Sequence, residues 1–122
     1  LFIGFAKHFY QSKKLFFCLE VHNGVDVSRL VEQVKRISRA VSKGLITDHY
    51  KRYGLAHSPR ILCTVETDNM LRLVQKRMCA DAFFNPAWMK EVFLFHVAGN
   101  VWDDFEKGWQ NMEGKLYNLS ML

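Results

Sequence analysis

No run in this chain approaches the ~20 consecutive apolar residues that a membrane-spanning helix needs, and no secretory signal stands at its start. A membrane is therefore not expected among its partners. Nothing is low-complexity, and no segment recurs at a period of about 20–50 residues, which excludes solenoids and repeat arrays. Cysteine is scarce. Cys18, Cys63 and Cys79 are odd in number and show no paired spacing, so a disulfide framework is not expected. They read as reduced, mostly buried thiols of a cytoplasmic protein, Cys18 and Cys63 lying inside apolar strands. The five histidines form no His-x-x-x-His pair and no Cys-x-x-Cys exists, which argues against structural zinc. Gly-rich phosphate loops, nucleophile elbows and dinucleotide fingerprints are also missing.

What is present fits one domain over residues 1–122, with 49% hydrophobic residues. The chain opens on Leu1, already in a strand-like run, and is expected to be a fragment of a longer protein. Seventeen Lys and Arg against twelve Asp and Glu give +5. The excess is one-sided: through Arg77 there are fourteen basic and six acidic residues, and from Met78 onward three and six. Such an excess suggests a polyanionic partner.

Leu1 to Phe9 reads as a strand, Tyr10 to Lys13 as a turn, and Leu15 to Val21 as a second strand, so the two make a hairpin. The second strand is apolar on both faces, as a central strand is. Asn23-Gly24 ends it, and Asp26 can cap the helix that follows. In that helix Val27, Leu30, Val31, Val34, Ile37 and Val41 make one apolar stripe, and Gly44 is a natural stop. A short helix over Thr47 to Tyr53, closed by Gly54, is expected next. Pro59 then precedes a strand from Arg60 to Glu66. Thr67 caps a helix from Asp68 to about Cys79, whose Lys76 and Arg77 suit the negative end of the dipole. Asn85-Pro86 marks a loop that Phe83, Phe84 and Trp88 pack down. Glu91 to Val97 reads as a fourth strand. The spacing of Trp102, Phe105, Trp109, Met112 and Leu116 predicts a final amphipathic helix. Strands joined through helices imply an α/β fold with parallel neighbours.

Two constellations carry chemistry. Glu20 ends a buried strand at the edge where α/β sheets place ligands, and a phosphodiester nuclease needs a carboxylate there to hold Mg²⁺. His22, two residues on, suits a hydrogen-bond donor to phosphate or water; the plainer reading is a hydrogen-bonded surface histidine. Asp26, Glu66 and Asp68 are candidates for a second metal ligand, while Leu1 to Lys7 supplies no acid. The other constellation is a basic face. Arg29, Arg36 and Lys43 recur every seven residues, with Lys35 and Arg39 beside them, Lys13 and Lys14 in the hairpin turn, and Lys51 and Arg52 beyond. Such a row can neutralise several phosphates, and Tyr50 and Tyr53 could stack on unpaired bases. The plainer alternative is a solvated face.

The run Phe16-Phe17-Cys18-Leu19-Glu20-Val21-His22-Asn23-Gly24, then Leu30 to Lys35, then Pro59 to Thr67, resembles the replication-relaxation family of plasmids and conjugative elements, including the MobC-type relaxases. In that family an apolar strand ends in Glu-x-Asp-x-Gly, followed by a helix with a Lys and a second strand. The resemblance covers roughly residues 1 to 80. It implies a restriction-endonuclease-like core, a central mixed sheet of about four strands flanked by helices, usually preceded by a DNA-reading winged helix. It assigns Glu20 as the strand-end acid and metal ligand, and Lys35 as the helix lysine of a catalytic set in which His22 replaces an Asp. Gly4 or a neighbour stands where an active nuclease carries its first metal-binding Asp. The expectation is thus a DNA-binding domain of a mobilisation or replication protein whose catalysis is degenerate. It needs no cofactor to bind, and Mg²⁺ or Mn²⁺ only if it cuts. Two alternatives stay open: an active nickase, and a protein-interaction or homodimerisation module that uses the aromatic C-terminal helix.

Overall fold

Three neighbouring strands of this chain run the same way, and the connections between them build the rest. The computed structural model describes residues 2–7, 14–22, 26–51, 60–101 and 103–119, with the backbone alone at 2–7, 14–20 and 49–50. The main strands are β1 (Phe2–Lys7), β2 (Lys14–Val21), β3 (Arg60–Val65) and β4 (Phe93–Val97), followed by two-residue strands β5 (Trp109–Gln110) and β6 (Leu116–Tyr117). The helices are α1 (Val27–Ser42), α2 (Leu45–Tyr50), α3 (Asp68–Cys79), α4 (Trp88–Val92) and α5 (Ala98–Val101). Strands follow one another across the sheet in chain order. β1 pairs antiparallel with β2, β2, β3 and β4 are mutually parallel, and β5 and β6 add antiparallel. The fold is therefore α/β around a mixed sheet, as expected.

A parallel neighbour requires a crossover, and crossovers are right-handed. When strands are added in sequence, both crossovers deliver their helices to the same face. α1 and α3 accordingly pack against each other. Under them lies the larger core, in which Leu30, Val34, Val74 and Met78 meet Ile61, Cys63, Val65, Phe93 and Phe95. The opposite face carries a smaller cluster, Leu62, Leu94, Trp109 and Leu119. β3 and β4 thus alternate between two covered faces, which is why they read as continuous apolar runs.

The helix ends match their sequence signals. Asp26 accepts from the Arg29 N–H at 3.0 Å and Thr67 Oγ1 from Met70 N–H at 3.1 Å. Gly44, at φ +70, closes α1 and opens α2 in a conformation that only Gly adopts freely. α2 spans Leu45–Tyr50, rather than Thr47 to Tyr53; Gly54 lies outside the described residues. The fourth strand starts later than expected. Trp88–Val92 is helical, with Met89 and Val92 buried, and extended backbone begins only at Phe93. A short apolar run does not reveal its own period.

The final amphipathic helix is not formed; the segment is turns and a small hairpin. Its side chains explain the failure. Asp104 Oδ1 accepts from the Glu106 and Lys107 N–H groups, and Asn111 Oδ1 from those of Glu113 and Lys115, so these N–H groups are drawn into turns. Gly108 (φ +85) and Gly114 (φ +84) complete the turns. The helical spacing is a coincidence of two faces: Trp109 enters the second cluster, Met112 the first, and Leu116 stays 67% exposed. Trp102 lies outside the described residues.

This segment is fastened at His96. Its Nε2 lies 3.0 Å from the Lys107 carbonyl, and its ring meets Trp109 edge-on at 5.3 Å between centroids. A Cβ on Gly108 would stand 2.7 Å from His96 Nε2. Gly108→Ala should therefore destabilise the protein by roughly 1–3 kcal/mol, read as a lower urea midpoint. Gly99→Ala, where a Cβ meets nothing within 4 Å, is the matched control, and equal midpoints for the two would refute this account of the fastening.

Candidate nucleic-acid interface

α1 turns Leu30, Val31, Val34, Ile37 and Val41 inward, so its cations have only the outer side to occupy. Arg29, Arg36, Arg39 and Lys43 are all exposed. The i, i+7 spacing places Arg29, Arg36 and Lys43 in a line, with steps of about 10.5 Å along the axis. α3 adds Arg72, Lys76 and Arg77, likewise exposed, opposite its buried Met70, Leu71, Val74 and Met78. Counting Lys43, α1 carries five cations against Glu32, and α3 three against Asp68, an excess of six where the whole chain has +5. The positive charge of the protein is thus concentrated in this helical layer.

Few of these cations are neutralised. The ion pairs among the described residues are Lys35–Glu32, Lys35–Asp81, Arg60–Glu91 and Lys90–Glu113. Of the helical layer's cations, only Lys35 takes part.

Lys35 is fixed where α1 meets the end of α3. Its Nζ lies 2.8 Å from Asp81 Oδ2 and 3.7 Å from Glu32. Asp81 Oδ1 accepts the Phe83 N–H at 3.0 Å, starting the 3₁₀ turn Ala82–Phe84. Lys35 and Arg39 both sit over the Phe83 ring, at 5.4 and 5.3 Å from its centroid. One turn earlier Arg77 donates to Ser28 Oγ at 2.9 Å. The hydrogen bond with Asp81 holds the Lys35 ammonium above its ordinary pKa, and the attraction of Asp81 and Glu32 adds to it. The bonds from Lys35 and the Phe83 N–H hold the Asp81 carboxyl below the usual carboxylate range.

The proposed metal edge is less complete. Glu20 stands opposite Cys63 in the parallel ladder, near the end of β2; its side chain lies outside the description. His22 is not a surface histidine. It is buried, its backbone N–H donates to the Thr64 carbonyl at 3.1 Å, and its Nε2 has no hydrogen-bond partner among the described residues. Glu66 and Asp68 are exposed at the end of β3, and Asp26 is exposed and occupied in capping α1. Among the described residues, no group of three or more His, Cys, Asp or Glu could hold a metal ion. Because β2, β3 and β4 follow in order with both helices on one face, they form no switch-point crevice.

Of the remaining candidates, Lys14 pairs with Lys7 at the start of β2, seen as backbone only, and Lys51 is exposed just past α2. Lys13, Arg52 and Tyr53, and the side chain of Tyr50, lie outside the description. Cys63 is buried as expected, but Cys79 is exposed. Its Sγ donates to the Met112 carbonyl at 3.1 Å, and partial burial with Glu113 nearby pushes the thiol pKa up, so it is held protonated.

The contribution of α3 to this face was not singled out from sequence, although Arg72 and Lys76, four apart on one helix face, signalled it. Asp81 as the partner of Lys35 carried no signal, since 46 positions separate them. No family model, curated protein or solved structure matches the chain.

Asp81→Asn should lower the urea midpoint at neutral pH. The sign follows from the depressed folded-state pKa: the contribution is complete above the unfolded carboxylate value of about 3.9 and fades as pH falls through the lower folded value. The gap between wild type and variant should therefore be constant near pH 7 and close as the solution is acidified below about pH 4. A gap that persists unchanged into acid would show that Asp81 stabilises without its charge.

Proposed function

We propose that this chain is a DNA-binding domain of a mobile-element DNA-processing protein, with a restriction-endonuclease-like core whose catalysis is degenerate. The observation that carries the binding is the helical layer: exposed, unneutralised cations on α1 and α3, in a fixed array on a packed scaffold. Phosphate contacts are the sequence-independent part of DNA recognition, and arginine and lysine on a rigid surface are the groups that make them. The resemblance of residues 16–24 and 59–67 to the replication-relaxation family supports the DNA-processing assignment.

Two observations favour degenerate catalysis. The Lys35 ammonium is held by Asp81, and His22, in the place of the family's Asp, is buried with its Nε2 unmatched. That unmatched nitrogen, two residues beyond Glu20, also supports a second reading, a nickase with a metal ion held at the strand end. A protein-contact role for the aromatic C-terminal segment is less well supported, because Trp109 is fully buried.

Anisotropy of labelled duplex DNA across a salt series should show steep salt dependence. Arg36→Glu/Arg39→Glu should bind more weakly and flatten the slope by about 2, since each phosphate neutralised contributes about 0.9. Absence of binding at low salt would overturn the DNA-binding reading. Plasmid nicking with Mn²⁺ that is lost in both Glu20→Gln and His22→Ala would replace degenerate catalysis by the nickase.

A further inference from the structure

The two edges of the sheet are unlike. At one end β6 is two residues long, with Lys115 just before it. At the other end β1 runs for six residues, Phe2-Ile3-Gly4-Phe5-Ala6-Lys7, and pairs with β2 in unbroken register from Phe2–Leu19 to Lys7–Lys14. Half of the backbone N–H and C=O groups of such a strand point away from its neighbour. No strand pairs with that outer side among the described residues. Natural sheets blunt an open edge with charge, proline, a bulge or shortness. From Phe2 through Ala6 this edge has none of these devices. Gly4 adds to the case. A glycine inside a strand marks a bulge, a bend or the close approach of another backbone, and the unbroken register excludes the bulge.

We infer that β1 pairs antiparallel with β1 of a second copy of this chain, about a two-fold axis that passes through Gly4 perpendicular to the sheet. Gly4 then stands opposite Gly4 of the copy, Ile3 opposite Phe5, and Phe2 opposite Ala6. Ile3 is in register with Cys18 and, through it, with Ile61 of the larger core, so Ile3 and Phe5 belong to the face that carries the helices. An aromatic residue opposite a β-branched one is a favourable cross-strand pair, and the axis makes it twice. Charge selects the direction. Lys7 and Lys14 share one end of the hairpin, and antiparallel pairing sends the lysines of the two copies to opposite ends of the joint. Parallel pairing of the same edges would set Lys7 against Lys7, which is destabilising. The pairing uses both long edges and leaves a two-residue strand at each outer end, so it closes at two copies. The axis also keeps α1 and α3 of both copies on one side of the joined sheet, so their two cationic layers face the same way. The pairing does not depend on the DNA-binding function proposed above, and its test contains no DNA.

The test measures sedimentation equilibrium of the 122-residue chain across a concentration series, beside Ala6→Lys, which places a charge on the joint. Single cysteines then read the register under mild oxidation, in a Cys79→Ser background because Cys79 is the exposed native thiol. Directly opposite residues of an antiparallel pair lie about 4.5–5.5 Å apart between Cα atoms, within the range a disulfide spans. Gly4→Cys should therefore cross-link two copies. Ala6→Cys should not, because the two copies of that position stand four residues out of register, about 14 Å apart. The expected result is a reversible monomer–dimer equilibrium, at least tenfold weaker in Ala6→Lys, with a covalent dimer for Gly4→Cys alone and none for the Cys79→Ser parent. Far-ultraviolet circular dichroism checks that Ala6→Lys folds; if it does not, the cysteine pair decides. A wild type that stays monomeric throughout the series overturns the inference. So does a dimer that persists in folded Ala6→Lys without a Gly4→Cys cross-link, since another surface then holds it. Cross-linking by Ala6→Cys as readily as by Gly4→Cys overturns the register, and assemblies that grow past two copies overturn the closed pairing.

Discussion

The parallel ladder of β2, β3 and β4 is the constraint from which the rest follows. Parallel strands cannot be joined by a tight turn, so each junction must leave the sheet and return, and the return is right-handed. Strand order that follows chain order then sends α1 and α3 to one face. The opposite face of β3 and β4 is left to the C-terminal segment, which has to supply an apolar cover from whatever geometry it can reach. It does so with Trp109, Leu119 and the half-buried Phe105 and Tyr117, held down at His96 and by the bond from Trp109 Nε1 to the Phe105 carbonyl.

The same constraint has an electrostatic consequence. Two helices, each with an excess of positive charge, are forced side by side, and their outer cations repel in a solvent that only partly screens them. The junction is where that repulsion is relieved. Asp81 brings one carboxylate to Lys35, and Phe83 offers a ring face to Lys35 and Arg39 together. The outer cations have no comparable relief within the described residues. In the proposed function a polyanion bound to this surface would relieve that repulsion.

At the carboxyl edge of the sheet the balance is different. Asp26, Glu66 and Asp68 make that edge acidic, and the buried, unmatched Nε2 of His22 lies beside it. An unmatched buried donor or acceptor costs about 1–3 kcal/mol, and the Tyr117 hydroxyl, on the other side of the sheet's core, is a second such atom among the described residues. The acidic edge lies at the starts of the same two helices whose outer sides carry the cations. Lys35, which the family resemblance groups with Glu20 and His22, stands about 12 Å along α1 from its first residue and is directed to Asp81 instead.

Much of the fold was legible in the sequence because it is written in local signals. Asp26 and Thr67 cap α1 and α3, Gly44 ends α1, and the apolar stripes of both helices and the continuous runs of β3 and β4 announce themselves by period. The basic face of α1 was equally legible, since it depends only on helical spacing. The C-terminal segment was not, because a three-four spacing of large residues also arises without a helix: Trp109 on β5 enters one cluster, Met112 in the turn enters the other, and Leu116 on β6 stays exposed. Asp104, Asn111 and the positive-φ glycines decided against the helix. The sequence by itself therefore determined the four main strands, the two long helices and their caps, and that the charge excess lies before Met78. Only the tertiary structure decided that α1 and α3 share one face, that Asp81 claims Lys35, and that His22 is buried. These depend on strand order and on contacts between residues far apart in the chain, and neither leaves a periodic trace in the sequence.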